Sequence, residues 1–337
     1  MYPKLIIDLD KIRHNTRAVV KEAGDIAVFG VTKGCSGSLA VAQAMLDGGA
    51  AGLADSRLSS LSKLRRQFPT TPLLALRQPM GFEAAAFGQL NATVIISDPN
   101  AAAALSAAAR EAGATIDVLI MIELGDGREG VAPESFPALI AALSAYPAIK
   151  ISGIAANVGC RGGRRPTGKA LRIFHDLWLE AGRRGLDLAT VSAGNSSCWN
   201  LLETGQIPES ANQMRFGEAI LLGLEAADGR PIPGLHQDAC TVEVETLEVS
   251  TKSGSRRAVT AIGCRDIGSG ELSPLDGRLK VTRLTSDHCV LAVGRGLNLV
   301  CGDTIQFRPS YFALQSLAAS ADVEQEYMGY NGVSIEE

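Results

Sequence analysis

No Cys-x-x-Cys pair occurs among the seven cysteines of this chain, at positions 35, 160, 198, 240, 264, 289 and 301. An odd number of scattered thiols makes neither a disulfide framework nor a zinc site, and it suits a reducing, intracellular compartment. A run of about 18 apolar residues, the minimum for a membrane span, is also missing. The opening MYPKLIIDLDKIRHN puts charges where an export signal needs an unbroken apolar stretch. No membrane partner is expected, and the protein reads as cytoplasmic. Strong charge of one sign is absent as well: the net charge is −4, which argues against nucleic acid as a partner. What remains is ordinary globular material, 46% hydrophobic and 20% charged, able to bury a sizeable core. A chain of 337 residues exceeds one usual domain, although an α/β barrel absorbs about 200–250 residues as one unit.

From residue 25 onward, short β-branched runs alternate with Ala- and Leu-rich helical stretches. Eight strands are expected, at 26–33, 51–56, 72–78, 93–98, 116–124, 151–158, 189–195 and 213–223. Between them lie helical stretches such as SLAVAQAMLDGG (38–49), closed by glycine, and NAAAALSAAAREAG (100–113), opening on an Asn cap. Eight strands each followed by a helix predict a closed parallel (β/α)8 TIM-type barrel over residues 8–225. After residue 226 the texture changes to alternating strands with turn residues and almost no helical period. A C-terminal all-β domain over 226–337 is expected, joined by the N-terminal strand, residues 1–7.

In such a barrel the strand C-termini form the active face. Lys33 ends the first expected strand in GVTKG. A lysine at the mouth of an apolar strand suits a Schiff base, because desolvation favours its neutral amine; the alternative is an ordinary surface lysine. VSAGNSS (191–197) ends the seventh strand with small residues and hydroxyls, including Asn195 and Ser196. That texture fits either a phosphate cradle or a helix cap, or both. MRFGE (214–218) ends the eighth strand with Arg215, Gly217 and Glu218. Arg215 lies either beneath a cofactor ring or in a structural ion pair. Arg77, after the third strand, and Arg128, in GDGREG after the fifth, can each receive a carboxylate through a bidentate fork.

Taken in order, YPKLIIDLDKIRHNT, VTKG, GDGREG, NVGCRGG, SAGNSS, MRFGEA and TSDH resemble the alanine racemase family over nearly the full length, and more specifically its ornithine racemase-like branch. The resemblance implies a pyridoxal 5'-phosphate enzyme with Lys33 carrying the cofactor and acting as one acid/base. It implies that Ser196, with the Gly217 and Glu218 backbone, holds the phosphate, that Arg215 faces the pyridine nitrogen, and that Arg128 lies near the substrate carboxylate. Tyr311, in PSYFALQ, matches a tyrosine that contacts the phosphate. Asp287, in TSDH, matches a loop that reaches into a neighbouring subunit, so a head-to-tail homodimer is expected.

Two departures bear on mechanism. Alanine racemases use a tyrosine in a G-Y-x-D-G stretch as the base on the opposite face of the substrate, whereas this chain has Cys264 in IGCRDIG (262–268). A thiol beside a cation, here Arg265, can serve instead; His288 is the competing candidate because histidine titrates near neutrality. The family also has a tyrosine four residues after the lysine, where this chain has Gly37. The expected activity is a two-base racemisation of an amino acid, ornithine or lysine by branch resemblance, or alanine. An acidic pocket from Asp55, Glu123 or Asp126 would suit a basic side chain. Two other functions compete: a D-amino-acid lyase or aldolase, for which the chain offers only His288 and Cys289 as metal ligands, and a non-catalytic pyridoxal-phosphate-binding protein, which would resemble the barrel alone. No resident metal is expected.

Overall fold

The computed structural model describes residues 3–159, 165–252 and 254–329. After β1 (Lys4–Asp8) come eight short strands: β2 (Ala27–Val31), β3 (Gly52–Asp55), β4 (Leu73–Ala75), β5 (Thr93–Ile96), β6 (Ile116–Glu123), β7 (Ile149–Asn157), β8 (Thr190–Asn195) and β9 (Gln213–Phe216). They pair in parallel in chain order, and β9 returns to β2 with Ala27 opposite Gln213, so the sheet closes into a barrel. Closure leaves these near-continuous apolar strands without an edge. Successive residues alternate between two cores: Phe29, Val31, Leu74, Ile95 and Leu119 pack inside the barrel, while Val28, Leu73, Val94 and Val118 pack outward against the helices. At Gly52 a Cβ would stand 2.6 Å from the Phe29 ring, so this glycine makes room for the ring to fill the interior.

The helices follow their sequence signals with one shift. The helix Leu39–Asp47 is capped by Ser38, whose hydroxyl accepts from the Val41 amide. The cap of the second helix is Asp98 and not the expected Asn100: Asp98 accepts from the Asn100 amide, and Pro99 occupies the first turn, where no amide is needed.

The second layer consists of β10 (Cys240–Lys252), β11 (Ser255–Thr260), β12 (Leu272–Pro274), β13 (Leu279–Leu284), β14 (Cys289–Val293), β15 (Thr304–Pro309) and β16 (Glu324–Met328). They run β12-β15-β10-β11-β14-β13, mostly antiparallel. β1 lies antiparallel to β10 and parallel to β16, and its Leu5 and Ile7 are fully buried. Asn15, buried on the helix after β1, donates to the carbonyls of Ile220 and His236 at 2.9 Å each and accepts from the His236 amide at 2.7 Å. That one side chain ties the start of the chain to the segment joining the two layers.

Two expected elements differ. The eighth barrel strand ends at Phe216 and not at 223, because Gly217 breaks it and Glu218–Leu222 form a helix. Among the described residues, the C-terminal region also carries the helices Cys264–Ile267 and Tyr311–Ala319. Among the described residues no helix is long and apolar enough to cross a membrane.

Candidate active site

β2 ends at Val31, so Lys33 does not close the strand; it stands in the 3-10 turn Thr32–Cys35 at the strand's C-terminal end. The turn is fixed from below. The Thr32 hydroxyl donates to Asp55 Oδ2 at 2.7 Å, and the Arg57 amide donates to Oδ1 at 2.9 Å. Asp55 is wholly buried, and burial pushes its carboxyl above the ordinary range against those hydrogen bonds. Lys33 itself is half-buried, and its side chain has no hydrogen bond or ion pair among the described residues.

Across the barrel mouth, β8 ends at Asn195, whose side-chain oxygen accepts from the Ser197 amide at 2.8 Å while its amide donates to Asn157. Ser196 is buried, and its hydroxyl oxygen accepts from the amides of Gly217 at 3.3 Å and Ala219 at 3.2 Å. The cap reading of VSAGNSS holds, since Asn195 accepts from the Ser197 amide, and Ser196 marks a point on which two main-chain amides converge. Tyr311, the first residue of its helix, brings the second layer to this spot. Its ring would meet a Cβ on Gly34 at 3.1 Å, and its hydroxyl lies 3.5 Å from where a Cβ on Gly217 would be.

Below the mouth lies Arg215, 3% exposed. Nη1 donates to the Ser192 carbonyl at 3.0 Å and to its hydroxyl at 2.5 Å, and Nη2 donates to the Ala156 carbonyl at 2.6 Å. No carboxylate pairs with it among the described residues, so the ion-pair alternative does not hold. Burial without an anion pushes its guanidinium down to about 10, which leaves it charged at neutral pH. A buried cation held only by neutral oxygens retains most of its unscreened field.

The loop after β6 is closed at its base, where Val131 bridges to Ile122. Inside it, Glu123 accepts from the amides of Gly125 at 2.5 Å, Asp126 at 2.7 Å and Gly127 at 3.0 Å. Gly130, at φ 140°, passes so close to the Glu123 backbone that a Cβ would stand 2.8 Å from its nitrogen. The loop presents Arg128, whose Nε donates to Asp126 at 2.6 Å, and next to it Glu129. The acidic pocket anticipated from Asp55, Glu123 and Asp126 does not form, since the first is tied to Thr32, the second to loop amides and the third to Arg128 and Asn157. Arg77 is corrected too: its fork is filled by Glu83 at 3.0 Å on both arms, so it shapes the wall and does not await a carboxylate.

One cavity of about 280 Å³ joins these parts. Lys33, Asn195, Ser196, Arg215, Gly217 and Glu218 line it, and so do Arg77, Arg128 and Tyr311. Ser56, Asn157 and Glu129 complete the polar wall; nothing in their sequence contexts had set them apart. Val31, Leu76, Ile95 and Met121 supply the apolar floor. Cys264, Asp287 and His288 do not line it. They are exposed and stand together, for the Cys264 amide donates to the Thr285 carbonyl at 2.8 Å and the Thr285 amide to the His288 carbonyl at 2.9 Å. His288 is exposed whereas Cys289 is fully buried, so the two do not face one ion. Among the described residues no group of three or more His, Cys, Asp or Glu is set to hold a metal. The CRGG stretch of NVGCRGG, residues 160–163, lies outside the described residues.

A closed parallel barrel with a lysine, converging main-chain amides and a buried arginine in one cavity at its mouth, together with a mostly antiparallel second layer, defines a two-layer barrel protein with its candidate site where the strands end. Residues 7–224 match the family described as alanine racemase, N-terminal domain. Among curated relatives, the lysine racemase of Thermotoga maritima is 32% identical, covering 97% of this chain and 99% of that protein. The ornithine racemase of Acetoanaerobium sticklandii is 29% identical, covering 97% of this chain and all of that one. Among solved structures, a D-threonine aldolase from Filomicrobium marinum superposes with a TM-score of 0.80 at 21% identity, covering 94% of this chain and 88% of that one, which is a likeness of fold. The chain belongs to the alanine racemase family.

Proposed function

We propose that this protein is a pyridoxal-phosphate-dependent amino-acid racemase acting on a basic amino acid such as ornithine or lysine, with alanine as the smaller alternative. One observation carries the reading: Lys33, the main-chain donors around Ser196, and Arg215 without a carboxylate all meet in one cavity. An aldehyde, a phosphate and a ring nitrogen on one molecule call for those three partners. The residues fit the group. The amides of Gly217 and Ala219 already converge on an oxygen atom, and Tyr311 and Asn195 stand beside it. The names of the two relatives, lysine racemase and ornithine racemase, support the substrate class.

When bound, pyridoxal phosphate withdraws electrons from the α-carbon of an amino acid joined to it. Lys33 would hold the cofactor, and its amine would take or return the α-proton on one face of the substrate. Arg215, buried and lining the cavity, would offer a positive charge to a bound ring nitrogen and so disfavour its protonation, which would work against transamination. Arg128, at the mouth, receives the α-carboxylate. The proton on the other face would be handled by Cys264 or His288, beside Asp287; these lie outside the cavity of their own chain, and a second copy in a head-to-tail homodimer would lend them. The scattered cysteines, four of which are fully or almost fully buried in the core outside the barrel interior, support a cytoplasmic setting.

The test is incubation of single enantiomers of ornithine, lysine and alanine with the holoprotein in deuterated water. Gain of α-deuterium together with loss of optical activity is expected, and Lys33→Ala should lose both this exchange and the visible absorbance of the lysine-bound cofactor. Absence of exchange with every amino acid, or survival of that absorbance in the variant, refutes the reading.

A further inference from the structure

The cavity contains a charge that none of the assigned roles uses. Its cations are accounted for: Arg77 is filled by Glu83, Arg215 by carbonyls, Arg128 leans on Asp126 and Lys33 is reserved for the cofactor. Of its two carboxylates, Glu218 opens the helix at the cradle. Glu129 lines the cavity with no hydrogen bond or ion pair among the described residues.

An unpaired carboxylate is out of place in a site that must take a phosphate and an α-carboxylate, because it repels both. The repulsion is offset only if the substrate brings a positive group of its own. The α-amine would not be that group, since it is the amine that the cofactor would take up. A second, distal cation is required. The loop is also built to hold Glu129 in place: Glu123 gathers three of its amides, Gly130 closes against the Glu123 backbone, and the Ile122–Val131 bridge pins both ends. A merely solvated side chain needs no such support.

We propose that Glu129 receives the distal ammonium of the substrate and is the residue that selects a basic amino acid. The assignment rests on the racemase reading above. It puts recognition of both substrate ends on consecutive residues of one loop, with Arg128 for the carboxylate and Glu129 for the side-chain cation, over an apolar floor of Leu76, Ile95 and Met121 that suits the methylene chain between them.

The experiment compares L-ornithine with L-norvaline, which has the same carbon chain without the terminal ammonium, in the wild-type holoenzyme and in Glu129→Gln and Glu129→Asp. Because Glu129 is exposed at the mouth, the ornithine-to-norvaline ratio of kcat/KM should fall about five-fold in Glu129→Gln, as expected for a partly screened ion pair. The loss should fall on the KM for ornithine, with kcat retained, and Glu129→Asp should restore part of it. A ratio unchanged by Glu129→Gln, or an equal loss for both substrates, overturns the assignment while the racemase reading stands. Exchange of no amino acid by the wild-type enzyme overturns that reading itself.

Discussion

Gly34→Ala tests how the barrel and the second layer cooperate at the site. A Cβ at this position would stand 2.6 Å from Leu221 Cδ1 and 3.1 Å from Tyr311 Cε2. Carbon atoms in good contact sit about 3.5–4.0 Å apart, so the leucine must retreat by about 1 Å and the ring by about half an ångström. Leu221 is fully buried, so its methyl retreats only at a packing cost, whereas Tyr311 is half-buried at the start of its helix and yields outward. Overpacking of this size costs about 1–3 kcal/mol, a fall in Tm of a few degrees by calorimetry. On the proposed cofactor reading, the functional effect follows from the Tyr311 hydroxyl, which would be drawn away from the bound phosphate. Loss of one hydrogen bond to a charged group is worth about 1.5–3 kcal/mol, or about ten- to hundredfold in pyridoxal-phosphate affinity. Titration of the cofactor's visible absorbance into the apoprotein measures it. Tyr311→Phe, which lacks the hydroxyl already, supplies the control: Gly34→Ala placed on top of it should weaken the cofactor little further. Fully additive losses would show that Gly34 acts by some route other than Tyr311, and the argument would fail.

Three further outcomes are expected. Replacing Cys264 and His288 singly should slow racemisation from one enantiomer's direction more than deuterium exchange at Lys33's face; if neither change does so, both are removed as the second base. In Glu83, burial raises the carboxyl, but the Arg77 fork and the Met80 amide outweigh it and hold it below its ordinary value. That contribution to stability is present above about pH 4.5, the usual carboxylate range, and is lost as pH falls through the lower folded value; Arg77→Met should abolish this acid-side slope in urea unfolding, and an unchanged slope would count against it. Asn15→Ala removes three hydrogen bonds, one buried and two partly buried, and leaves the His236 amide without its acceptor, so unfolding free energy should drop by about 2–3 kcal/mol; a loss under about 1 kcal/mol would mean that water replaces the side chain.

Much of the barrel was legible because its signal is repeated: eight apolar runs with helices between them are each weak but jointly restrictive. What escaped was local. MRFGEAILLG reads as one apolar strand, yet Gly217 breaks it and the second half packs as a helix, since short buried strands and helices share one composition. The helix Tyr311–Ala319 was hidden for the same reason, being short and set among alternating strands. At the site, Lys33 and Arg215 stood out because a cation at the end of an apolar strand is an anomaly. Glu129 did not, because a charged residue in a glycine-rich loop is solvated in most proteins, and only the folded loop shows which of its acids is already spent. Arg77 and Arg128 look alike in sequence; a glutamate six residues on, Glu83, decides that one of them is filled.

The placement of β1 sets a timetable for folding. Lys4 bonds to Glu326, 322 residues away, and the partners of Leu5 on β10 lie beyond the whole barrel. At about 5–20 residues per second of synthesis, the first strand waits roughly 15–60 seconds for its last neighbour. During that time the barrel can close on its own, but an apolar strand edge carrying Leu5 and Ile7 stays open to other nascent chains. Expression at high density should therefore produce aggregates joined through this strand before it produces misfolded barrels, and such aggregates should fade when synthesis is slowed or the chain concentration is lowered.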